Sequence, residues 1–241
     1  MTNLLSAIAI SMIISAMAKV HSQKLKAILY TLPFPITIAL IGSNSIATSL
    51  SISGLTLTGG FLWACYFLHA KLKINILATD IVLSVLYVAV AYILAHNLKL
   101  TFWTMLGICP AIWTGLMFFF RNITFKYRKV APATTNAYLK ALIIFVIAFG
   151  LFSVHQYLAA FVVTFPYNGV FAVFENRSGL LPQAALFTRN CLALAAYFTT
   201  NYLVGTHYSA PARHVASWLA FGLVLIAVNK LIKIEVKNIR S

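Results

Sequence analysis

Acidic side chains are almost absent from this sequence: only 3 of its 241 residues are Asp or Glu, and 9% are charged. A soluble domain has about 25% charged residues. So little charge cannot cover the surface of a water-soluble globule, which excludes an ordinary soluble domain. The composition instead predicts that lipid surrounds most of the chain.

Motifs for catalysis and metal binding are also missing. The cysteines Cys65, Cys109 and Cys191 lie in apolar runs without a metal-ligand spacing, so they are predicted to be small core residues. The 6 histidines are scattered, with no H-E-x-x-H motif, and there is no phosphate-binding glycine loop. Little of the chain lies outside the apolar runs to form a catalytic domain. We therefore expect no enzyme activity, no metal and no cofactor.

Long apolar runs dominate the sequence instead. Hydrophobic residues make up 61% of the chain, and its mean hydropathy is +0.91. Since a crossing of the bilayer takes roughly 20 apolar residues, the sequence predicts an all-α, polytopic membrane protein with about nine transmembrane helices. The stretch 137–174 would be about 57 Å long as one helix, so it is divided near His155. The predicted spans are 3–19, 25–42, 49–69, 75–95, 100–120, 137–154, 157–174, 184–205 and 214–234.

Positive charge is abundant, with a formal net charge of +15. Lys and Arg fall in short clusters between apolar runs rather than along one polar face, which is typical of membrane flanks and excludes nucleic acid as a partner. The odd-numbered connections hold fourteen Lys and Arg, whereas the even-numbered ones hold only Lys99 and Arg213. By the positive-inside rule, the chain is predicted to cross a cell inner membrane with its N-terminus outside and its C-terminus in the cytoplasm.

A weak internal repeat joins the two ends of the chain at a constant offset of 131 residues. The repeat carries spans one to three onto spans six to eight. The matching residues are Phe34-Pro35 with Phe165-Pro166, and Ala64, Tyr66 and Phe67 with Ala195, Tyr197 and Phe198.

This repeat predicts how the chain is organised. Residues 1–98 form a first four-helix unit, residues 99–133 a linker helix with a basic cytoplasmic loop, and residues 134–241 a second four-helix unit with a basic tail. An odd number of spans separates equivalent helices, so the two units are expected to lie in opposite orientation. Inverted repeats of this kind are common in transporters.

The most informative local feature is a pair of proline motifs, each midway along a short predicted span. Proline removes a backbone donor and clashes with the carbonyl four residues earlier, so each helix should kink or break. Backbone groups freed at membrane depth need protein partners or a water-lined cavity. Either these are ordinary proline kinks, or the two broken helices meet and bind a substrate. The predicted substrate-binding residues are Thr31, Pro33, Pro35 and Thr37, with Thr164, Pro166, Tyr167 and Asn168.

Three charged residues are candidates for coupling or charge pairing. Asp80 lies near the cytoplasmic end of span four, where the helix dipole favours an anion, and Glu175 follows span seven. Either could carry a coupling proton, because ionisable groups in a membrane span are costly and often functional. Either could instead be structural or solvated. Arg189 either snorkels to the headgroups or faces inward, towards Glu175 or an anionic substrate.

The stretch 43–58 is rich in Ser, Thr and Gly. Small residues allow helix backbones to approach closely. This composition predicts close packing of the third span, with a pore lining as the alternative.

The second half of the chain, mainly residues 137–234, resembles the small four-span bacterial GlpM-type membrane proteins. The similarity lies in Tyr157-Leu158-Ala159-Ala160, in Thr164-Phe165-Pro166 and in the apolar run Val170-Phe171-Ala172-Val173. Such proteins have one four-span unit, where this chain has two joined by a linker helix. The resemblance implies residence in a membrane and little about biochemical role.

Two functions fit these features. The first is a secondary transporter or permease for a small solute, with an anion as one option, bound between the proline-broken helices. The second is a non-transporting accessory or assembly subunit of a larger membrane or envelope complex. A transporter needs a wet, partly polar cavity at the proline motifs, whereas an accessory protein needs only a packed bundle and a docking face. A homodimer or a larger complex is compatible with both.

Overall fold

The fold is all-α, apart from one pairing of two very short strands. The computed structural model describes residues 2–18, 20, 25, 28–120, 125–127, 137–158, 160–167, 170, 173, 179–205, 207–231 and 236–238. The first helices are α1 (Thr2–Ala18), α2 (Phe34–Gly42), α3 (Ser49–Cys65), α4 (Ile76–Asn97) and α5 (Phe102–Phe120).

The second half repeats this pattern of long helices with short pieces between them. Strand β1 (Phe125–Tyr127) follows α5 and pairs in parallel with β2 (Val236–Asn238) near the C-terminus. The helices are α6 (Ala137–Ser153), α7 (His155–Leu158), α8 (Phe161–Thr164), α9 (Leu180–Val204) and α10 (Ala210–Leu231).

Local sequence explains where helix α4 begins. Asn75 precedes α4, and its side-chain oxygen accepts hydrogen bonds from the backbone N–H groups of Leu77 at 2.9 Å and Ala78 at 3.4 Å. Such a cap satisfies donors that the first helical turn leaves free. At its C-terminal end, α3 widens into a π-helical turn, Tyr66–Lys71.

Within the described part of the chain, three helices are long and apolar enough to cross a membrane: Ser49–Lys71, Ile76–Asn97 and Ala210–Leu231. The 22 residues of α4 extend about 33 Å, slightly more than the hydrocarbon core. Shorter apolar helices occur at Leu4–Met17, Phe102–Phe118 and Ala141–Ser153. The membrane-helix prediction is therefore supported in part, and the count of nine spans remains a prediction.

The second and seventh predicted spans differ most from the structure. Instead of one helix over 25–42, helical residues at Leu25, Ile28 and Leu29 are followed by a turn and a bend over 30–33, and the 9-residue helix α2 begins at Phe34. The predicted span 157–174 contains the four-residue helix α8, which ends at a bend at Phe165. Because proline cannot donate a backbone hydrogen bond, both segments are interrupted rather than merely kinked.

Helix α9 is at the centre of the structure, packed against α3, α5 and α10. Most of its residues are buried. By contrast, α4 and α10 are peripheral and expose large apolar side chains such as Val85 and Leu223, which are 66% and 70% exposed. An apolar outer surface of this kind suits a lipid environment.

One basic residue differs from its predicted loop position. Arg213 lies in the first turn of α10 and is buried, 6% exposed. Its guanidinium group donates to the carbonyl oxygens of Gly205 at 3.1 Å and Ser45 at 3.4 Å. Arg213 therefore ties together the loop before α3 and the loop before α10.

Candidate functional site

The two proline motifs meet at one internal cavity of about 50 Å³. Pro35 and Thr31 line it from the first half of the chain, and Pro166 and Thr164 from the second. Since one buried water occupies roughly 10–15 Å³ on this scale, the cavity has room for a few water molecules. The remaining wall is mostly apolar, with Tyr30, Thr58 of α3 and Gln183 of α9 as its other polar side chains.

The cavity lies where helical hydrogen bonding is interrupted. Pro35 has no N–H to donate to the carbonyl of Thr31, and Pro166 has none for the carbonyl of Val162. Backbone bonding resumes beyond each proline, where Thr37 N donates to Pro33 O at 2.8 Å and Val170 N donates to Pro166 O at 2.9 Å. Each break thus leaves a carbonyl without its helical donor beside the cavity.

Hydrogen bonds tie each proline segment to a helix of the opposite half of the chain. Asn190 Nδ2 of α9 donates to Thr31 Oγ1 at 2.6 Å. Thr58 Oγ1 of α3 donates to the carbonyl oxygen of Thr164 at 2.5 Å. All four residues are buried. These contacts hold the two interrupted segments side by side.

Two hydroxyl groups on the cavity wall have already donated their hydrogens. Thr31 Oγ1 donates to Ile28 O at 2.7 Å, and Thr58 donates to Thr164 O. Within the described residues, Oε1 of Gln183 has no hydrogen-bond partner, although this side chain is only 3% exposed. The wall therefore offers oxygen lone pairs, which can accept a hydrogen bond from a ligand or water.

Thr37, a predicted ligand contact, belongs to a different cluster and does not line the cavity. Thr37 Oγ1 donates to Pro33 O at 2.8 Å, and Trp218 Nε1 donates to Thr37 Oγ1 at 3.0 Å. Tyr197 Oη lies 2.9 Å from Thr37 Oγ1 and 2.9 Å from His214 Nδ1. Because the Thr37 hydrogen is used, Tyr197 donates to Thr37 and accepts from His214 Nδ1–H. This placement makes Thr37 a structural contact of α2 with α9 and α10.

The other predicted motif residues are divided. Pro33 precedes α2, and its carbonyl oxygen accepts from Thr37 rather than facing the cavity. Tyr167 is 2% exposed, and its ring lies 5.0 Å from that of Phe165. Its hydroxyl group has no hydrogen-bond partner in the part of the chain that the structure describes. Asn168 lies outside the described residues.

The three charged candidates also have different positions. Asp80 is 4% exposed in α4, and its Oδ1 atom makes no hydrogen bond to any described residue. Arg189 is 8% exposed in α9, and its Nε atom lies 3.4 Å from Asn190 Oδ1. Arg189 thus faces into the bundle, and the snorkelling alternative does not match this burial. Glu175 lies outside the described residues.

A polar stripe on α9 was missed by the motif analysis. Gln183, Asn190 and Tyr197 are spaced seven residues apart, which places them on one helix face. Gln183 lines the cavity, Asn190 bonds Thr31 and Tyr197 bonds Thr37. Further along, Asn201 Oδ1 accepts from Ala47 N at 3.0 Å. The heptad spacing of polar residues in an apolar helix was the available signal.

The side chains that line the cavity are apolar or neutral and polar. No lining residue among those described is charged. An anion would therefore find no compensating cation in a medium of low dielectric constant, which disfavours the anionic option. The described residues contain no group of three or more His, Cys, Asp or Glu able to hold a metal ion.

Comparison with protein-family models, curated proteins and solved structures gave no match to this chain. The resemblance to GlpM-type proteins stays a prediction.

Proposed function

We propose that this chain is an integral membrane permease that binds a small, uncharged solute in the cavity between its two proline-interrupted segments. The observation that carries the proposal is the shared cavity, lined by Thr31 and Pro35 from one motif and by Thr164 and Pro166 from the other. Pockets where a mostly apolar wall carries a few convergent polar groups are typical small-molecule sites.

Membrane residence is supported by the three long apolar helices and by the exposed apolar side chains of α4 and α10. We place the protein in a cell inner membrane with the N-terminus outside and the C-terminus cytoplasmic. This orientation is supported by the distribution of Lys and Arg.

An inverted-repeat architecture is part of the proposal, with α5 as the linker. Elements that the repeat treats as equivalent pack against each other: α1 with α6, and α3 with α9. Helix α5 contacts both α3 and α9. A twofold axis in the membrane plane brings equivalent elements together in this way.

Helix directions support the same arrangement. The contacts Ala47–Asn201 and Trp63–Thr188 show that α3 and α9 run antiparallel, since one residue number rises while the other falls. Equivalent helices of an inverted repeat point in opposite directions.

Transport requires the cavity to open alternately to the two sides. At about 50 Å³ the cavity holds only a few heavy atoms, so a larger solute requires the two proline segments to separate. The breaks at Pro35 and Pro166 suit such a movement, because an interrupted helix bends without losing further backbone hydrogen bonds. Discontinuous helices meeting at a central site are characteristic of secondary transporters.

The alternative is a non-transporting accessory subunit. Such a protein needs no polar wall at the proline motifs, so the Oε1 atom of Gln183, which has no partner among the described residues and lines the cavity, favours the permease. Each unpaired buried polar atom is destabilising, by about 1–3 kcal/mol, unless a ligand or water uses it.

A flux assay tests the proposal. Purified protein is reconstituted into liposomes and offered a broad panel of small metabolites. We expect flux of at least one solute, and we expect Thr58→Val to reduce it about tenfold, the equivalent of about 1.4 kcal/mol. Thr199→Val is the matched control, because the Thr199 hydroxyl donates to Ala195 O within its own helix, α9, and does not line the cavity. A folded, inserted protein that carries no solute contradicts the permease, whereas equal flux in both variants contradicts solute binding in this cavity.

A further inference from the structure

A large apolar groove lies on the outer surface, between α4 and the segment α6–α7. Its volume is about 810 Å³, and its wall includes Ser84, Val88 and Tyr92 of α4 with Leu151 and Tyr157 opposite. Along α4 the lining residues run from Ser84 to Ile93, about 14 Å of helix axis. One leaflet is about half of the roughly 30 Å hydrocarbon core, so the groove has the length of a hydrocarbon chain in one leaflet.

The side chain of Phe165 forms part of the wall of this groove and also part of the wall of the cavity. Its ring contacts Tyr87 edge-on, with centroids 5.3 Å apart. Phe165 directly precedes Pro166, and its extended backbone (φ −53°, ψ 136°) ends helix α8. The ring is therefore attached at a helix break, where it can shift without disrupting helical hydrogen bonds.

The polar groups of the cavity wall determine which polar groups of a ligand can bind there. The hydroxyl hydrogens of Thr31 and Thr58 are already donated to carbonyl oxygens, and Gln183 Oε1 is unpartnered among the described residues. A head group that donates a hydrogen bond finds acceptors there, whereas a carboxylate finds no charged donor. At about 50 Å³ the cavity also excludes a phosphocholine-sized head.

We propose that the groove and the cavity together bind a single-chain amphiphile of the bilayer, with its tail in the groove and a hydroxyl head in the cavity. The amphiphile enters sideways from one leaflet, past the ring of Phe165. This inference rests on the proposed function, because it assigns a substrate class to the same cavity.

A partner helix fits the groove less well. A transmembrane helix contacts its neighbour through both leaflets, whereas this groove covers one. Tightly packed membrane helices also meet through small residues. The rim here carries large side chains instead, with Tyr92 50%, Ile93 56% and Tyr157 53% exposed.

Photo-crosslinking tests the inference on the full chain in phosphatidylcholine liposomes. Three probes carry the same mid-chain diazirine: hexadecanol, palmitic acid and hexadecane. We expect hexadecanol to label α4 and α6–α7 saturably. Its labelling should exceed that of the other two probes about fivefold, because about one hydrogen bond to the head group is gained. Mass spectrometry locates the labelled residues.

Matched variants locate the tail and the head. Ala89 lines the groove, and Ala227 is an equally lipid-exposed alanine on α10. Ala89→Trp fills the groove and should abolish saturable labelling, while Ala227→Trp should leave it unchanged. Gln183→Leu should lower hexadecanol labelling to the level of the headless hexadecane.

Each contrary outcome is decisive. Unsaturable labelling spread over α4 and α10, or equal labelling by hexadecanol and hexadecane, overturns the inference. If flux is sensitive to Thr58→Val but hexadecanol labelling is not saturable, the amphiphile proposal is wrong and the permease proposal stands. Saturable labelling in a protein that moves neither hexadecanol nor any panel solute supports the binding site and overturns the permease.

Discussion

Asn190 Nδ2 lies 2.6 Å from Thr31 Oγ1, although the two residues are 159 positions apart in the chain. Thr31 donates its own hydrogen to Ile28 O, so Asn190 is the donor in this contact. A second contact, Tyr197 with Thr37, lies farther along the same two segments, so α2 and α9 run parallel. The first proline segment is thus anchored along the central helix by successive polar contacts.

A double-mutant cycle measures this anchor. We expect Thr31→Val and Asn190→Leu to be coupled by about 1 kcal/mol, the usual size of a hydrogen bond between membrane helices. The free energy of unfolding in mixed micelles gives the four values. Strictly additive effects of the two substitutions would mean that the contact contributes nothing to stability.

Close packing at Gly54 is tested by adding one methyl group. A β-carbon at Gly54 would overlap the side chain of Thr164, whereas one at Gly60 of the same helix meets nothing within 4 Å. We expect Gly54→Ala to destabilise the protein by about 1–3 kcal/mol through overpacking. Gly60→Ala should be neutral or slightly stabilising, because alanine favours a helix. Equal melting temperatures for the two variants would contradict this packing.

These residues show which structural features could be predicted from the sequence. Proline chemistry predicts a break at Pro35 and at Pro166, and the matched offset predicts that the two breaks correspond. The small residues near Gly54 predict close packing. None of these three predictions requires knowing which helix faces are in contact.

What could not be predicted depends on long-range contacts. Thr37 was expected at the solute site because it follows Pro35 by two residues, yet one helical turn directs it to Tyr197 and Trp218 instead. Gln183 was overlooked because the heptad spacing that it shares with Asn190 and Tyr197 predicts a common helix face but not what that face contacts. Only the packing of α9 against both proline segments brings it to the cavity.

The Thr37 cluster should stabilise the bundle rather than bind solute. Thr37→Val removes the acceptor of Tyr197 and of the Trp218 N–H, so we expect a loss of about 1–3 kcal/mol in unfolding free energy. The matched Thr199→Val should change it by less than about 0.5 kcal/mol. Solute affinity of the surviving folded Thr37→Val protein should be unchanged. A large drop in the solute affinity of Thr37→Val with normal stability would mean that Thr37 does contact the solute.

Asp80 is the best-placed described residue for proton coupling. Its carboxyl group is buried in α4, and Oδ1 makes no hydrogen bond to a described residue. An amide cannot take up or release a proton, so Asp80→Asn should abolish accumulation driven by a pH gradient while solute exchange continues. Asn97→Ala, at the exposed C-terminal end of the same helix, is the control. Normal gradient-driven accumulation in Asp80→Asn would remove Asp80 from the mechanism.

Solute protection of cysteines in both proline motifs tests the shared cavity most directly. In a background where Cys65, Cys109 and Cys191 are replaced by alanine, Thr31→Cys and Thr164→Cys are treated separately with a small methanethiosulfonate reagent during the flux assay. We predict that modification at either position blocks flux, and that the solute identified by the panel protects both with the same half-saturating concentration. Protection of one motif without the other, or flux that survives modification at either position, would contradict a single cavity formed by both proline segments.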